Sequence, residues 1–141
     1  TTLTYYNTFF REWAYDNNNP IFTCTYQSDA FTVSDTTYGN AHLTYPVGLI
    51  TADELAMAGE VMDISNIKYY LYTNQYYWTG SPLTFNSIST IANVANLNLN
   101  GKLDKTCTSC GQYGVRPVIS LLSTIMATGS GTWDDPYVVE D

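Results

Sequence analysis

Few residues of this 141-residue chain combine a type and a spacing that chemistry could use. Cys107-Thr-Ser-Cys110 has the spacing of metal and thiol–disulfide motifs. A zinc site would need two more ligands, and His42 and Cys24 are the soft candidates. Thr and Ser between the thiols, with Gly111 after them, are turn formers and suit a disulfide closed within one loop. Pairing of Cys24 into this loop, or metal or redox use, are the alternatives. Thr51-Ala52-Asp53-Glu54 spells a capping box. The Thr51 hydroxyl accepts from the amide of residue 54, and the Glu54 carboxylate reaches back to the amide of Thr51. Glu54 as a catalytic acid is the competing reading. Asp134 and Asp135 are adjacent, so on a strand they point to opposite faces and make no acid pair. With Asp104 and the asparagines they offer oxygens to a hard cation, but no calcium motif is spelled. A single histidine leaves little room for His-paired triads or poly-His metal sites. These residues point away from an enzyme, and to no metal and no cofactor.

Composition narrows the partners. Five basic residues against thirteen acidic give a net charge of −8, which argues against nucleic acid and anionic membrane surfaces. With 45% hydrophobic and 15% aromatic residues, the chain is no disordered acidic tail. No run approaches the roughly 20 apolar residues of a membrane span. Thr, Asn, Ser and Tyr carry most of the polarity, a composition frequent in secreted and cell-surface proteins. The chain opens at Thr1 with no Met and no leader pattern. It reads as one domain over 1–141, a C-terminal piece of a longer surface protein.

The elements that must position these residues follow from pattern. Leu3, Tyr6, Phe10 and Trp13 fall on one face of a helix over 1–16, ended by Pro20. Ile21–Tyr26 alternates as a strand, and Phe31–Val33 is a second extended piece. Tyr45–Ile50 reads as a short buried strand feeding the helix capped by Thr51, which stops at Gly59. Tyr69–Tyr72 and Tyr76–Thr79 read as extended, and Gly80-Ser81-Pro82 as a break. Asparagine-rich 83–100 reads as irregular, then as a strand at Leu97–Asn100 with an Asn100-Gly101 hairpin turn and a return through Leu103 and Lys105. Gly114–Leu122 is a strongly apolar strand, Gly129–Thr132 a turn, and Tyr137–Val139 a last strand. Helices early and strands late give α+β order, with two short helices and small antiparallel sheets.

Several stretches, taken in order, resemble a known pattern. They are Phe22-Thr23-Cys24, Asp29–Val33, Leu43–Gly59, Tyr69–Tyr72, Tyr77–Pro82, Gly114–Leu121 and Gly129–Val139. Together they are similar to an uncharacterised domain family of secreted and pilin-like proteins of gut Firmicutes. The Trp78-Thr-Gly-Ser-Pro82 and Gly114-Val-Arg-Pro117 pieces also resemble the core signature of the C-type-lectin-like superfamily, whose relatives include the formylglycine-generating enzyme. That resemblance implies a compact frame with a long irregular loop region, here 83–113, that carries function. It also strengthens Cys107–Cys110 as the internal disulfide, because an upstream cysteine that family members use to pair at the position of Cys24 is missing. The formylglycine-generating relatives use a thiol pair with copper, but a pair on one turn does not suit that geometry.

The resemblance implies an extracellular ligand-binding or adhesin domain, non-enzymatic, secreted or at the cell surface. Asn86, Ser87, Asn93, Asn96 and Tyr113 are the ligand-binding candidates, for a host glycan or protein ligand: tyrosine offers rigid contact area and asparagine adaptable hydrogen bonding. The alternative is a structural subunit of a surface filament, packed against other subunits of the fibre. Trp78 is read as frame rather than sugar platform. Arg116, flanked by apolar residues, is read as structural and held by backbone carbonyls or by Asp53 or Glu54.

Overall fold

The computed structural model describes residues 2–13, 19–24, 26–27, 30–60, 62–119, 121, 124–130 and 134–139. Its centre is a four-stranded antiparallel sheet in the order β1-β3-β4-β5, built from Leu3–Tyr5, Tyr77–Asn86, Ile91–Leu97 and Leu103–Cys107. β3, β4 and β5 are joined by hairpins, with Tyr77 opposite Leu97 and Leu97 opposite Leu103. These three side chains, with Ala95, line one face of the sheet and are buried. The helix α1, Ala52–Met57, packs Leu55 onto that core beside Ile50, Ala52, Tyr69 and Leu83. A π-helical segment, Phe9–Trp13, adds Phe9 and Trp13 at the margin, with the Lys105 ammonium 5.1 Å above the Trp13 ring. Two small ribbons complete the fold: β2 (Gly48–Leu49) with β6 (Pro117–Val118), and β7 (Ala127–Thr128) with β8 (Val138–Val139). The architecture is α+β, mostly sheet, with two short helices and antiparallel sheets.

The capping box at α1 is complete. The Thr51 hydroxyl accepts from the Glu54 amide at 3.1 Å, and the Glu54 carboxylate accepts from the Thr51 amide at 2.7 Å. The β4–β5 hairpin turns through Asn98–Gly101, with Gly101 at φ +69° and its amide donating to the Asn98 carbonyl.

Several expectations are corrected. The segment 83–113 is no irregular loop: it holds the last four residues of β3 and all of β4 and β5. Gly80-Ser81-Pro82 does not break the chain but forms a bulge inside β3, with the register against β4 shifting on both sides of Pro82. A bulge is where a strand tolerates proline. The long irregular stretch lies instead at 19–47, where no described residue is in a strand. Ile21–Tyr26 alternates, yet none of its described residues is in a strand: the Ile21 amide donates to Asp53, and Phe22 and Tyr26 are exposed. Phe31–Val33 is likewise loop. The N-terminal helix begins later than its apolar spacing suggests, because Leu3–Tyr5 pairs with Thr84–Asn86 as a strand; residues 14–16 lie outside the described residues. Only Gly48–Leu49 of Tyr45–Ile50 is strand, Pro117–Val118 is the strand among the described residues of Gly114–Leu122, and Tyr69–Leu71 is a turn. The turn expected at Gly129–Thr132 is described only through Ser130, with Gly129 at φ +98°.

Candidate functional site

Asp53 is the residue on which three chain segments converge. It sits in the first turn of α1, positioned by the Thr51 cap, and is buried. Arg11, from the π-helical segment, binds it with two parallel bonds: Nε to Oδ1 and Nη2 to Oδ2, both 2.8 Å. This bidentate geometry is the strong form of an arginine–carboxylate pair. Nη2 also reaches the Thr8 hydroxyl at 3.5 Å. The Ile21 amide donates to Oδ1 at 3.0 Å and so fastens the start of the irregular stretch to the helix. Asp53 raises the pKa of Arg11 still further, first through the hydrogen bond. Glu12, next along and 3% exposed, is pushed up to about 7, mainly by burial and then by the charge of Asp53, with Arg11 opposing.

Beside this pair lies a cleft of about 1250 Å³. One wall is the β3 bulge, where the Ser81 hydroxyl accepts from the Ala52 amide at 2.9 Å and the Gly80 amide donates to the Ile50 carbonyl. The opposite wall is the irregular stretch, with Phe22, Cys24, Tyr26, Phe31, Val33 and Asp35. Tyr5, Tyr6, Val118 and Ile119 also line it. The irregular wall has its own order. Thr32 donates to the Asp35 carbonyl at 2.7 Å and accepts from the Ala41 amide, and Gln27 donates to the carbonyls of Thr36 and Gly39. Asp35 Oδ1 accepts from the amides of Thr37 and Tyr38. The cleft thus offers exposed rings on a wall fixed by local bonds, beside a part-buried ion pair.

The five ligand-binding candidates read from sequence lie elsewhere and do not converge. Asn86 ends β3 and its Oδ1 accepts from the amides of Ile88 and Ser89, with Ser87 in the same turn. Asn93 donates to the Thr84 hydroxyl across the sheet at 2.9 Å. Asn96, 1% exposed, donates to the Thr106 hydroxyl at 3.0 Å, and its Oδ1 has no partner. Three residues apart on β4, Asn93 and Asn96 face opposite sides of the sheet. Tyr113 stacks on Tyr76 with centroids 4.9 Å apart, lies 4.6 Å from Trp78, and meets the Thr106 hydroxyl. Asn96 and Tyr113 are therefore joined through Thr106, in a packed stack that includes half-buried Trp78. Arg116 donates to the Leu71 carbonyl at 2.6 Å and lies 5.0 Å over the Tyr77 ring, so its partners are a carbonyl and a ring rather than Asp53 or Glu54. Cys107 and Cys110 form a disulfide, and Cys24 is exposed in the cleft. Among the described residues, no three of His, Cys, Asp and Glu are placed to hold a metal ion, and no helix is long and apolar enough to cross a membrane.

The expected backbone-carbonyl partner of Arg116 is present, and Asp53, its alternative carboxylate partner, is bound by Arg11 instead. The available signal was Arg11-Glu12 set among the apolar residues Phe9, Phe10 and Trp13, where charges need partners. No curated protein and no solved structure matches the chain. The family model described as "Domain of unknown function (DUF6273)" matches residues 7–123, which include every segment that meets at Asp53. The chain belongs to the DUF6273 family.

Proposed function

We propose that this chain is an extracellular ligand-binding domain of C-type-lectin-like architecture, displayed at a bacterial surface or on a pilus-like fibre and acting without catalysis. The observation that carries the reading is the cleft: a volume of about 1250 Å³ walled by exposed aromatic rings on a locally bonded loop, with a part-buried ion pair in its lining. Large rigid rings on an ordered loop are what recognition surfaces use. In this reading the ligand sits in the cleft, while Asn86, Ser87, Asn93, Asn96 and Tyr113 hold the sheet. The test is binding to glycan and host-protein arrays by the wild type and by Phe31→Ala and Tyr26→Ala. Each loss of a ring contact is expected to weaken capture about tenfold at unchanged melting temperature. Capture that is indifferent to both substitutions overturns the reading.

A second reading, a filament subunit, is favoured by the C-terminal ribbon. Met126, Tyr137, Val138 and Val139 are all exposed there, an apolar surface of the kind that subunit contacts cover. A chain that stays monomeric at high concentration by size exclusion and electron microscopy counts against it.

A further inference from the structure

The distribution of charge sets what the cleft can hold. Four of the five basic side chains are engaged inside the molecule: Arg11 on Asp53, Lys102 on Asp63, Lys105 over Trp13, and Arg116 on Leu71 and Tyr77. The cleft repeats the imbalance. Arg11 is the one basic residue among its described lining, and Asp53 neutralises it with both oxygens. Asp35 and Glu54 also line the cleft, with no basic residue there to balance them. Asp35 uses Oδ1 for the Thr37 and Tyr38 amides, and Glu54 uses Oε2 for Thr51. The other oxygen of each makes no hydrogen bond to any described residue. The same cleft is lined by the rings of Phe22, Tyr26 and Phe31, at 75%, 59% and 62% exposure. A ring face attracts a cation, and so does a carboxylate, whereas an anion gains from neither. The volume exceeds the roughly 300–1,000 Å³ of a small-molecule pocket, which suits several residues of a chain better than one small amine.

We infer that the cleft binds a basic peptide segment of a partner protein, with lysine or arginine side chains over Phe22, Tyr26 and Phe31 and their charge toward Asp35 and Glu54. This rests on the reading of the cleft as the binding site and adds the class of its ligand. A basic segment also meets a molecule of net charge −8, which steers it in from a distance.

The test titrates the full ¹⁵N-labelled chain with three probes: N-acetyl-tetralysine amide, tetraglutamate and cellotetraose. The expected result is that tetralysine alone shifts amides of residues 31–35 and 51–54, with affinity falling about fivefold or more between about 0.05 and 0.5 M salt. Asp35→Asn and Glu54→Gln keep the oxygens that accept the turn and cap bonds and remove only charge. Each is expected to weaken tetralysine about threefold at unchanged melting temperature. Tetralysine shifts spread over Asp63, Asp104 and Asp134 instead of the cleft overturn the inference. So does unaltered affinity in both charge variants. Cellotetraose shifting the cleft while tetralysine does not would overturn the inference and leave the ligand-binding reading standing. No cleft shift with any probe, together with ring substitutions that leave array capture unchanged, removes both.

Discussion

Two buried carboxyls, Glu12 and Glu60, tie the stability of this domain to pH. Glu60 is 1% exposed; its Oε1 accepts from the Leu103 amide, and its Oε2 has no partner. Burial is the main reason its pKa rises to about 7, opposed by the Leu103 bond and assisted by Asp63. Glu12 is raised to the same region. Between the ordinary carboxyl value of 4.5 and about 7, the folded chain holds protons that the unfolded chain has released. Stability from these two groups is therefore fully present below the unfolded value and is lost as pH rises through the folded one. Each shift corresponds to on the order of 2–3 kcal/mol across that window. Urea midpoints at about pH 5 and pH 8 should show the domain more stable in acid by a few kcal/mol. Glu60→Gln keeps an oxygen for Leu103 and should remove about half of the difference, leaving the variant more stable than wild type at the higher pH. Equal wild-type midpoints at both values would refute the assignment.

At the level of elements, what was legible in the sequence is what is settled within a few residues. The capping box needs only Thr51 and Glu54, and the β4–β5 turn needs only the Asn100-Gly101 pair, so both can be read directly. β3 beyond Thr79 and β4 before Leu97 could not be, because their polar residues are satisfied at long range. Asn93 finds Thr84, and Asn96 finds Thr106, across strands rather than in a loop. Pro82 reads as a breaker until the bulge that accommodates it is seen. The converse failure is Ile21–Tyr26, whose alternation is that of a strand but which has an aspartate, not a strand, for a neighbour. The outer edge of β5 explains how the sheet ends there. The Leu103 amide donates to Glu60 and the Lys105 amide to Asp104, so side chains occupy two positions where another strand would pair. The hairpin is also the most exacting local geometry. Gly101 has φ +69°, and a Cβ there would run into the Asn66 carbonyl. Gly101→Ala should cost about 2–3 kcal/mol in chemical denaturation, while Gly48→Ala, with open space around it, should change stability by less than about 1 kcal/mol. A Gly101→Ala cost no larger than the control would show that the turn relaxes.

On the scale of the whole molecule, the buried core and the C-terminal ribbon lie apart. The buried core runs from Ile50 to Leu103 and contains none of the described residues of the C-terminal ribbon. That ribbon also lies beyond the stretch that defines the family, which stops at residue 123. Ile125, Met126, Tyr137, Val138 and Val139 are all exposed, so removing them uncovers little apolar surface. The described residues that line the cleft fall between Tyr5 and Glu54, at 80–82 and at 118–119, and none of them is in the ribbon. A chain ending at residue 124 should therefore melt within about 4 °C of the full chain. It should also keep its response to cleft ligands. A much larger drop would show that the ribbon packs on the domain and would remove it as a candidate fibre contact. A retained melting temperature with lost self-association would instead assign the two roles to separate surfaces: fibre contacts on the ribbon, and ligand in the cleft that Arg11 and Asp53 hold together.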